Sequence, residues 1–271
     1  MAINDITLAG GMRQNLASLQ LVAALQARTT ERLSTGKRVN SAVDDPSAYF
    51  AAQNHLSRAS DLAARKDAMG EAIQTVRAAI EGIEAITDLI EQAKGLTASA
   101  RGATAADRQT LAAQFDDLRS QIDALAGDAS YRGTNFLSDD TLTVDFNEDG
   151  SSSLTITGFD ATSGGDLGID AAANDWAADA DIDAAVSDLD AALNTLRTQA
   201  KTLSANLSVV TTRQEFTTNI ITTLTTGADD LTSADQNEEG ANMLALQTRQ
   251  QLGIVALSLS SQAQQSILRL F

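Results

Sequence analysis

Cysteine is absent from the 271 residues, which excludes disulfides, thiol nucleophiles and cysteine-ligated metals. Histidine occurs once, as His55, so neither a multi-histidine metal site nor a histidine-based proton relay has the partners it needs. There is one proline and only 4% aromatic residues, although 43% of the chain is hydrophobic. Alanine and leucine carry most of that apolar content, a composition that favours long helices over compact sheet cores. No run of eighteen or more apolar residues is present, so no segment is expected to span a membrane. The first residues, Met1-Ala2-Ile3-Asn4-Asp5-Ile6, lack the basic region and apolar run of a secretion signal. Any route out of the cell is therefore expected to be one that does not read and remove such a peptide.

What the chain has instead is periodicity. From Ile182 to Leu231 apolar residues recur at alternating steps of four and three: Ile182, Val186, Leu189, Leu193, Leu196, Ala200, Leu203, Leu207, Val210, Gln214, Thr217, Ile221, Leu224, Ala228 and Leu231. Only Gln214 and Thr217 break the apolar run. A repeat of about 3.5 residues held this long lays one narrow seam along a helix of about 75 Å, at roughly 1.5 Å per residue. Such a seam cannot be buried by its own helix, so the chain is built for helix–helix assembly rather than for an enclosed pocket.

Four further helical segments and one different region can be read. Residues 4–34 carry Met12, Leu16, Leu19, Val22 and Leu25 on one stripe. After a polar break, Asp45 and Pro46 make a strong helix start, one as cap and the other at the first helical position. That helix continues through Ile73, Val76, Ile80, Ile83, Thr87 and Ile90, and Gly95 with the run to Ala103 is expected to end or bend it. Thr104 with Asp107 resembles a capping box before Leu111, Phe115, Leu118, Ile122 and Leu125, with Gly127 as a stop. Between 130 and 180 glycines multiply, and Leu142, Val144, Phe146 and then Leu154, Ile156 alternate with polar residues. They read as a hairpin around Asn147-Glu148-Asp149-Gly150. A last helix follows the break Asp235–Gly240, with Leu252, Ala256, Leu259, Ala263, Ile267 and Leu270 in line. The fold class expected is mainly α: a long antiparallel helical rod or coiled coil with a small β-hairpin insert, the terminal helices pairing as a second layer. Both termini are expected at one end of this rod and the insert at the other.

The net charge of −17 is unevenly spread. Residues 1–40 hold five basic side chains against Asp5 and Glu31, a net +3, and residues 241–271 hold Arg249 and Arg269 and no acid, a net +2. The middle therefore carries −22 of the total −17. So acidic a middle argues against nucleic acid as a partner. The ends, poor in charge and rich in leucine and glutamine, read as surface to be buried against protein. They lack the lysine-rich polar face and aromatic anchors of a helix that lies on a membrane.

Motifs that would carry chemistry do not survive scrutiny. Asp145-x-Asn147-x-Asp149-Gly150 matches half of a calcium loop, but the position that needs a bidentate Glu is Ile156, and a hairpin turn explains the residues better. Glu81, Glu84, Asp88 and Glu91 form an acidic stripe without the cleft and stacking aromatics of glycoside chemistry, and read as a solvated helix face. No Gly-x-Ser-x-Gly elbow and no phosphate-cradling Gly-x-x-x-x-Gly-Lys loop occurs. No catalytic residue, cofactor or metal is expected.

The run Glu31-Arg32-Leu33-Ser34-Thr35-Gly36-Lys37-Arg38-Val39-Asn40-Ser41-Ala42-Val43-Asp44-Asp45 resembles bacterial flagellin. The resemblance extends to Tyr131-Arg132-Gly133-Thr134-Asn135-Phe136-Leu137. It resumes near 185 and includes Leu231-Thr232-Ser233-Ala234-Asp235 and the stretch from Gln250 to Gln265. It implies a filament subunit in three parts. Residues 1–44 with 231–271 would form an inner tube, residues 45–137 with 181–230 a rod, and residues 138–180 a small variable insert. It also implies export unfolded through the flagellar type III route, addition at the filament tip beneath a cap protein, and an export chaperone on the C-terminal helix. Leu16, Leu19, Val22 and Leu25 with Leu252, Leu259, Ile267 and Leu270 would build the tube, and Arg32, Asn40, Asp44 and Asp45 the linker between layers. The terminal segments, 1–40 and 240–271, are expected to be largely disordered before assembly. So short an insert implies a thin, smooth filament. Flagellins detected by the animal innate receptor carry an Arg and a Glu at the positions of Gln92 and Gln114, while Leu96 keeps the apolar member. Losing charge-assisted hydrogen bonds worth roughly 1.5–3 kcal/mol each implies weak detection. The runner-up is the hook–filament junction protein, which shares the terminal design but does not polymerise indefinitely. A soluble enzyme that acts on glycosides or binds a metal is the third reading.

Overall fold

The computed structural model describes residues 10–268. Among them are α1 (Gly10–Thr35), α2 (Pro46–Ala100), α3 (Ala105–Asp128), β1 (Thr141–Asp145), β2 (Ser153–Thr157), α4 (Asp179–Thr232) and α5 (Gln236–Leu268). They pack as two compact units. One is Arg58–Thr223; the other comprises the described residues up to Ser57 and from Leu224.

The first unit is organised by two seams on α2. Met69, Ile73, Val76, Ile80, Ile83, Thr87 and Ile90 follow steps of four and three, and each is buried or half-buried. A second row, Ala72, Thr75, Ala79, Gly82, Ile86, Leu89, Ala93, Leu96 and Ala100, runs beside it and is also withdrawn from solvent. Two such rows let one helix bury faces against two neighbours at once. On α4, every seam position from Ile182 to Leu231 is buried or half-buried, Gln214 and Thr217 included. Gln214 is tolerated there because its Nε2 donates to the Lys66 carbonyl at 3.3 Å. That bond, with the ion pairs Lys94–Asp190 at 2.8 Å and Arg101–Asp183, shows α2 and α4 running antiparallel, since partners rise on one helix as they fall on the other. Exposed ion pairs contribute about 0–1 kcal/mol each, so the apolar seams set the register.

Helix α3 begins where its capping residues direct. The Thr104 hydroxyl accepts from the Asp107 amide at 3.4 Å and donates to the Asp107 carboxylate at 2.7 Å. Phe115 and Ile122 are fully buried on its inner face, and Phe115 packs on Trp176 with ring centroids 5.1 Å apart. Trp176 closes a turn in which Asn174, Asp175 and Trp176 all have positive φ, a conformation that side-chain burial must hold against local strain. In the hairpin Leu142 pairs with Ile156 and Val144 with Leu154, and Val144, Ile156 and Phe146 are buried. The Asp145–Gly150 segment closes this hairpin. Asn147 Oδ1 accepts from the Ser152 amide, Asp149 Oδ1 from the Ser151 amide, and Asp145 faces Arg65 at 3.6 Å.

Helix α2 ends at Ala100, inside the run to Ala103 expected to end it, and passes Gly95 because Ala93, Leu96, Thr97 and Ala100 are withdrawn from solvent; packing outweighs the cost of about 1 kcal/mol that glycine carries in a helix. Two other element ends differ from expectation. Gly127 lies inside α3, one residue before its end at Asp128. The break before the last helix is shorter than the polar run suggests: α5 starts at Gln236, because Asp235 Oδ1 accepts from the amides of Asn237 and Glu238 at 2.8 and 3.2 Å. Glu238 and Glu239 then sit in the first turn, where a helix favours negative charge. The start expected for α1 at residue 4 lies outside the described residues.

Candidate functional site

The second unit is built on α1 and α5. They lie antiparallel, with Arg32 bonded to Glu239 near one end of the pair and Leu19 against Gly253 farther along. The residues withdrawn from solvent between them form a heptad seam: Met12, Asn15, Leu19, Val22, Gln26, Thr29 and Leu33 on α1, with Met243, Leu246, Gln250, Gly253, Leu257 and Ser260 on α5. This seam is thin. Leu19 packs directly over Gly253, where a Cβ would stand 2.6 Å from Leu19 Cδ2, so a larger residue there would make the Leu19 side chain shift.

The eight terminal residues singled out by sequence divide between two surfaces. Leu19 and Val22 lie in the α1–α5 seam, Val22 at 8% exposure. Leu16, Leu25, Leu252 and Leu259 face solvent, Leu252 at 65% and Leu259 at 68% exposure. Leu270 and the side chain of Ile267 lie outside the described residues. Sequence reading missed Leu21, Leu244, Ile254 and Val255, which are equally exposed. Leu252, Val255 and Leu259 repeat at steps of three and four and so share one helix face. The hydrophobic stripe called out on α5 is therefore not the face that meets α1. The intramolecular face is one residue over and holds Gln250, Gly253 and Ser260, which a hydrophobicity pattern does not flag.

The linker residues are brought together around one turn. Gly36, with φ +69°, ends α1 and its amide reaches the Arg32 carbonyl at 2.8 Å. The chain then pairs with the end of α4: the amides of Arg38 and Val39 both donate to the Thr232 carbonyl, and Ala234 donates to that of Gly36 at 2.9 Å. Val39 is 2% exposed, which pins this crossing. Asp44 Oδ2 accepts from the amides of Asn40 and Ser41 at 3.1 and 3.0 Å and from the Ser41 hydroxyl. These amide bonds, Ser41 first and Asn40 second, hold the Asp44 carboxyl below its ordinary value. Asn40 Nδ2 donates to Thr35 Oγ1, and Asp45 Oδ1 caps α2 through the Ala48 amide at 3.1 Å. Arg32 bridges to α5 through Glu239 at 2.6 Å, where the Glu239 side chain is 9% exposed. In the other unit, Gln92 and Gln114 are exposed on α2 and α3 and Leu96 is half-buried.

The terminal unit offers two helices joined by a thin seam, with large apolar side chains turned outward. Residues 3–141 match the bacterial flagellin N-terminal helical region, and residues 179–271 match the bacterial flagellin C-terminal helical region. Along its full length the chain is 32% identical to flagellin FljM and 31% identical to flagellin FljO of Caulobacter vibrioides, each alignment covering 100% of both chains. It is 42% identical to flagellin C of Rhizobium meliloti over 72 residues, 27% of this chain and 22% of that one. A crystal structure of Bacillus cereus flagellin overlays 55% of this chain and 88% of its own at a TM-score of 0.47 and 16% identity. The chain belongs to the bacterial flagellin family. It is a structural subunit of the bacterial flagellar filament, which serves motility. The 142–178 segment, which holds β2 and the Trp176 turn, lies between the two matched regions.

Proposed function

We propose that the outward apolar rows of α1 and α5 are the surfaces through which subunits add to the filament. The observation that carries this is the contrast in exposure: Leu252, Val255 and Leu259 stand in solvent while the α4 seam has no exposed member. Covering one leucine side chain is worth about 1.5–3 kcal/mol, so a row of them supplies a strong drive to associate. In this reading residues 1–44 and 231–271 form an inner tube, residues 45–137 and 181–230 a surrounding rod, and residues 138–180 the variable insert. Arg32, Asn40, Asp44 and Asp45 fix the linker between them. Leu270 and Ile267 extend the α5 row in sequence. The subunit leaves the cell unfolded, held beforehand by an export chaperone on the C-terminal helix, and is added next to junction and cap proteins. Replacing Leu252 and Leu259 together by Ser is expected to abolish growth from sheared filament seeds while the helical circular dichroism of the subunit is retained. Wild-type growth by the double variant would refute the proposal. Growth by the parent chain that stops after a few subunits would instead favour a junction protein.

Gln92 and Gln114 lack the charges through which related flagellins are detected by the innate receptor, so this chain is expected to signal weakly. A receptor reporter responding to nanomolar protein as it does to a strong agonist would contradict this.

A further inference from the structure

We infer that an arginine-lined cleft between α1 and α5 receives carboxylates from a second copy of this chain, so that filament growth depends on ion pairing as well as on apolar burial. The inference rests on the reading of the chain as a filament subunit.

The cleft has a volume of about 330 Å³, and Arg28, Arg32 and Arg249 line it together with Leu25, Leu246 and Glu239. Three guanidinium groups thus face one carboxylate. That carboxylate is already committed, since Glu239 accepts from Arg32 Nη1 at 2.6 Å and its side chain is nearly buried. Arg28 and Arg249 are exposed and have no ion-pair partner among the described residues. The cleft therefore holds two positive charges that Glu239 does not balance; Arg28 also acts through its charge on Asp44, outside the cleft, while Arg249 faces the opening. In a chain of net charge −17 this is an exception, and it lies on the two terminal helices, whose segments 1–40 and 241–271 are the basic ones.

Charge complementarity names the occupant. Nucleic acid would be repelled by the −22 carried between residues 41 and 240. That same acidic surface is present on each copy of a chain that belongs to a family of filament subunits. A basic cleft on one part and acids on another make a heterologous contact, which generates an open helical polymer when its rotation does not close. Arginine suits this task, because its planar fork matches a carboxylate in bidentate fashion. Leu25 and Leu246 in the walls lower the local dielectric, so a carboxylate that enters is held more firmly than at an open surface.

Arg32 is left intact in the test, since removing it would strand the Glu239 carboxylate. Arg28→Gln/Arg249→Gln, Arg28→Lys/Arg249→Lys and the parent chain are compared in elongation from sheared seeds at low and high sodium chloride, with circular dichroism as the check on folding. The parent chain is expected to need a higher subunit concentration as salt rises. The Gln variant should need about tenfold more subunit at low salt, equivalent to about 1.4 kcal/mol, and lose most of that salt response. The Lys variant should retain the salt response. A folded Gln variant that elongates at the parent's critical concentration with the parent's salt response overturns the inference. A helical loss confined to the Gln variant leaves the Lys variant to decide, where a flattened salt response would equally overturn it. Failure of the parent chain itself to elongate is a separate outcome that removes the filament reading and this inference with it.

Discussion

Asp44 shows how much one side chain does in the linker. Its carboxylate gathers the Asn40 and Ser41 amides, which would otherwise face solvent at the turn between α1 and α2. Because these bonds depress its folded pKa, the stabilisation is fully present above the unfolded value and is lost as pH falls through the folded one. Hydrogen-exchange protection at Asn40 and Ser41 is therefore expected to hold at pH 6 and to be lost only once the pH drops beneath the ordinary carboxylate range of about pH 4. Asp44→Asn should leave that protection low and independent of pH; protection unchanged by the substitution would contradict this. At this scale the sequence is legible where a residue has one local job. Asp45 before Pro46 announces a cap, and Thr104 before Asp107 announces another. It is less legible where a residue type has two uses. Leu16 and Leu19 are the same amino acid on the same helix, yet one faces solvent and the other α5. Hydrophobicity reports that a leucine is to be covered, not whether its own chain or a second copy covers it.

Elements differ in how firmly they are held. The α4 seam is leucine-rich and paired against α2, whereas the α1–α5 seam includes Asn15, Gln26, Thr29, Gln250, Gly253 and Ser260. Small and polar residues bury little apolar area, so the terminal pair gains less from packing and depends more on what covers its outer face. In dilute subunit, amides of α1 and α5 are expected to exchange rapidly while those of α2 and α4 between residues 69 and 210 stay protected. In assembled filament both sets should be protected. Equal protection of all four helices in dilute subunit would refute this. Periodicity made the α4 seam readable in sequence because the repeat is long and almost wholly apolar. The limits of α2 and α5 were harder to read. Gly95 and the polar run after Asp235 are breakers by composition, but core packing carries α2 past the first and capping by Asp235 starts α5 within the second.

At the scale of the molecule, composition and burial agree on a division of labour. Cysteine-free, proline-poor and acidic in the middle, the chain has one unit that buries its seams within itself and another that leaves leucine, isoleucine and valine in solvent. A solitary soluble protein rarely leaves so many large apolar side chains open on two adjacent helices, and polymerisation gives them a place to go. A helix–helix assembly was legible from the helical repeats, which local chemistry dictates, and the family from the resemblance of the Glu31–Asp45 run to flagellin. The Trp176 turn was not, because three consecutive residues at positive φ follow from burial of one ring rather than from glycine or a known turn motif. The most direct test of assembly through the termini is negative-stain electron microscopy of purified chain incubated with short sheared seeds, beside a deletion lacking residues 1–40 and 240–271. Long filaments from the full chain and none from the deletion are expected; filaments of equal length from both would contradict the central claim.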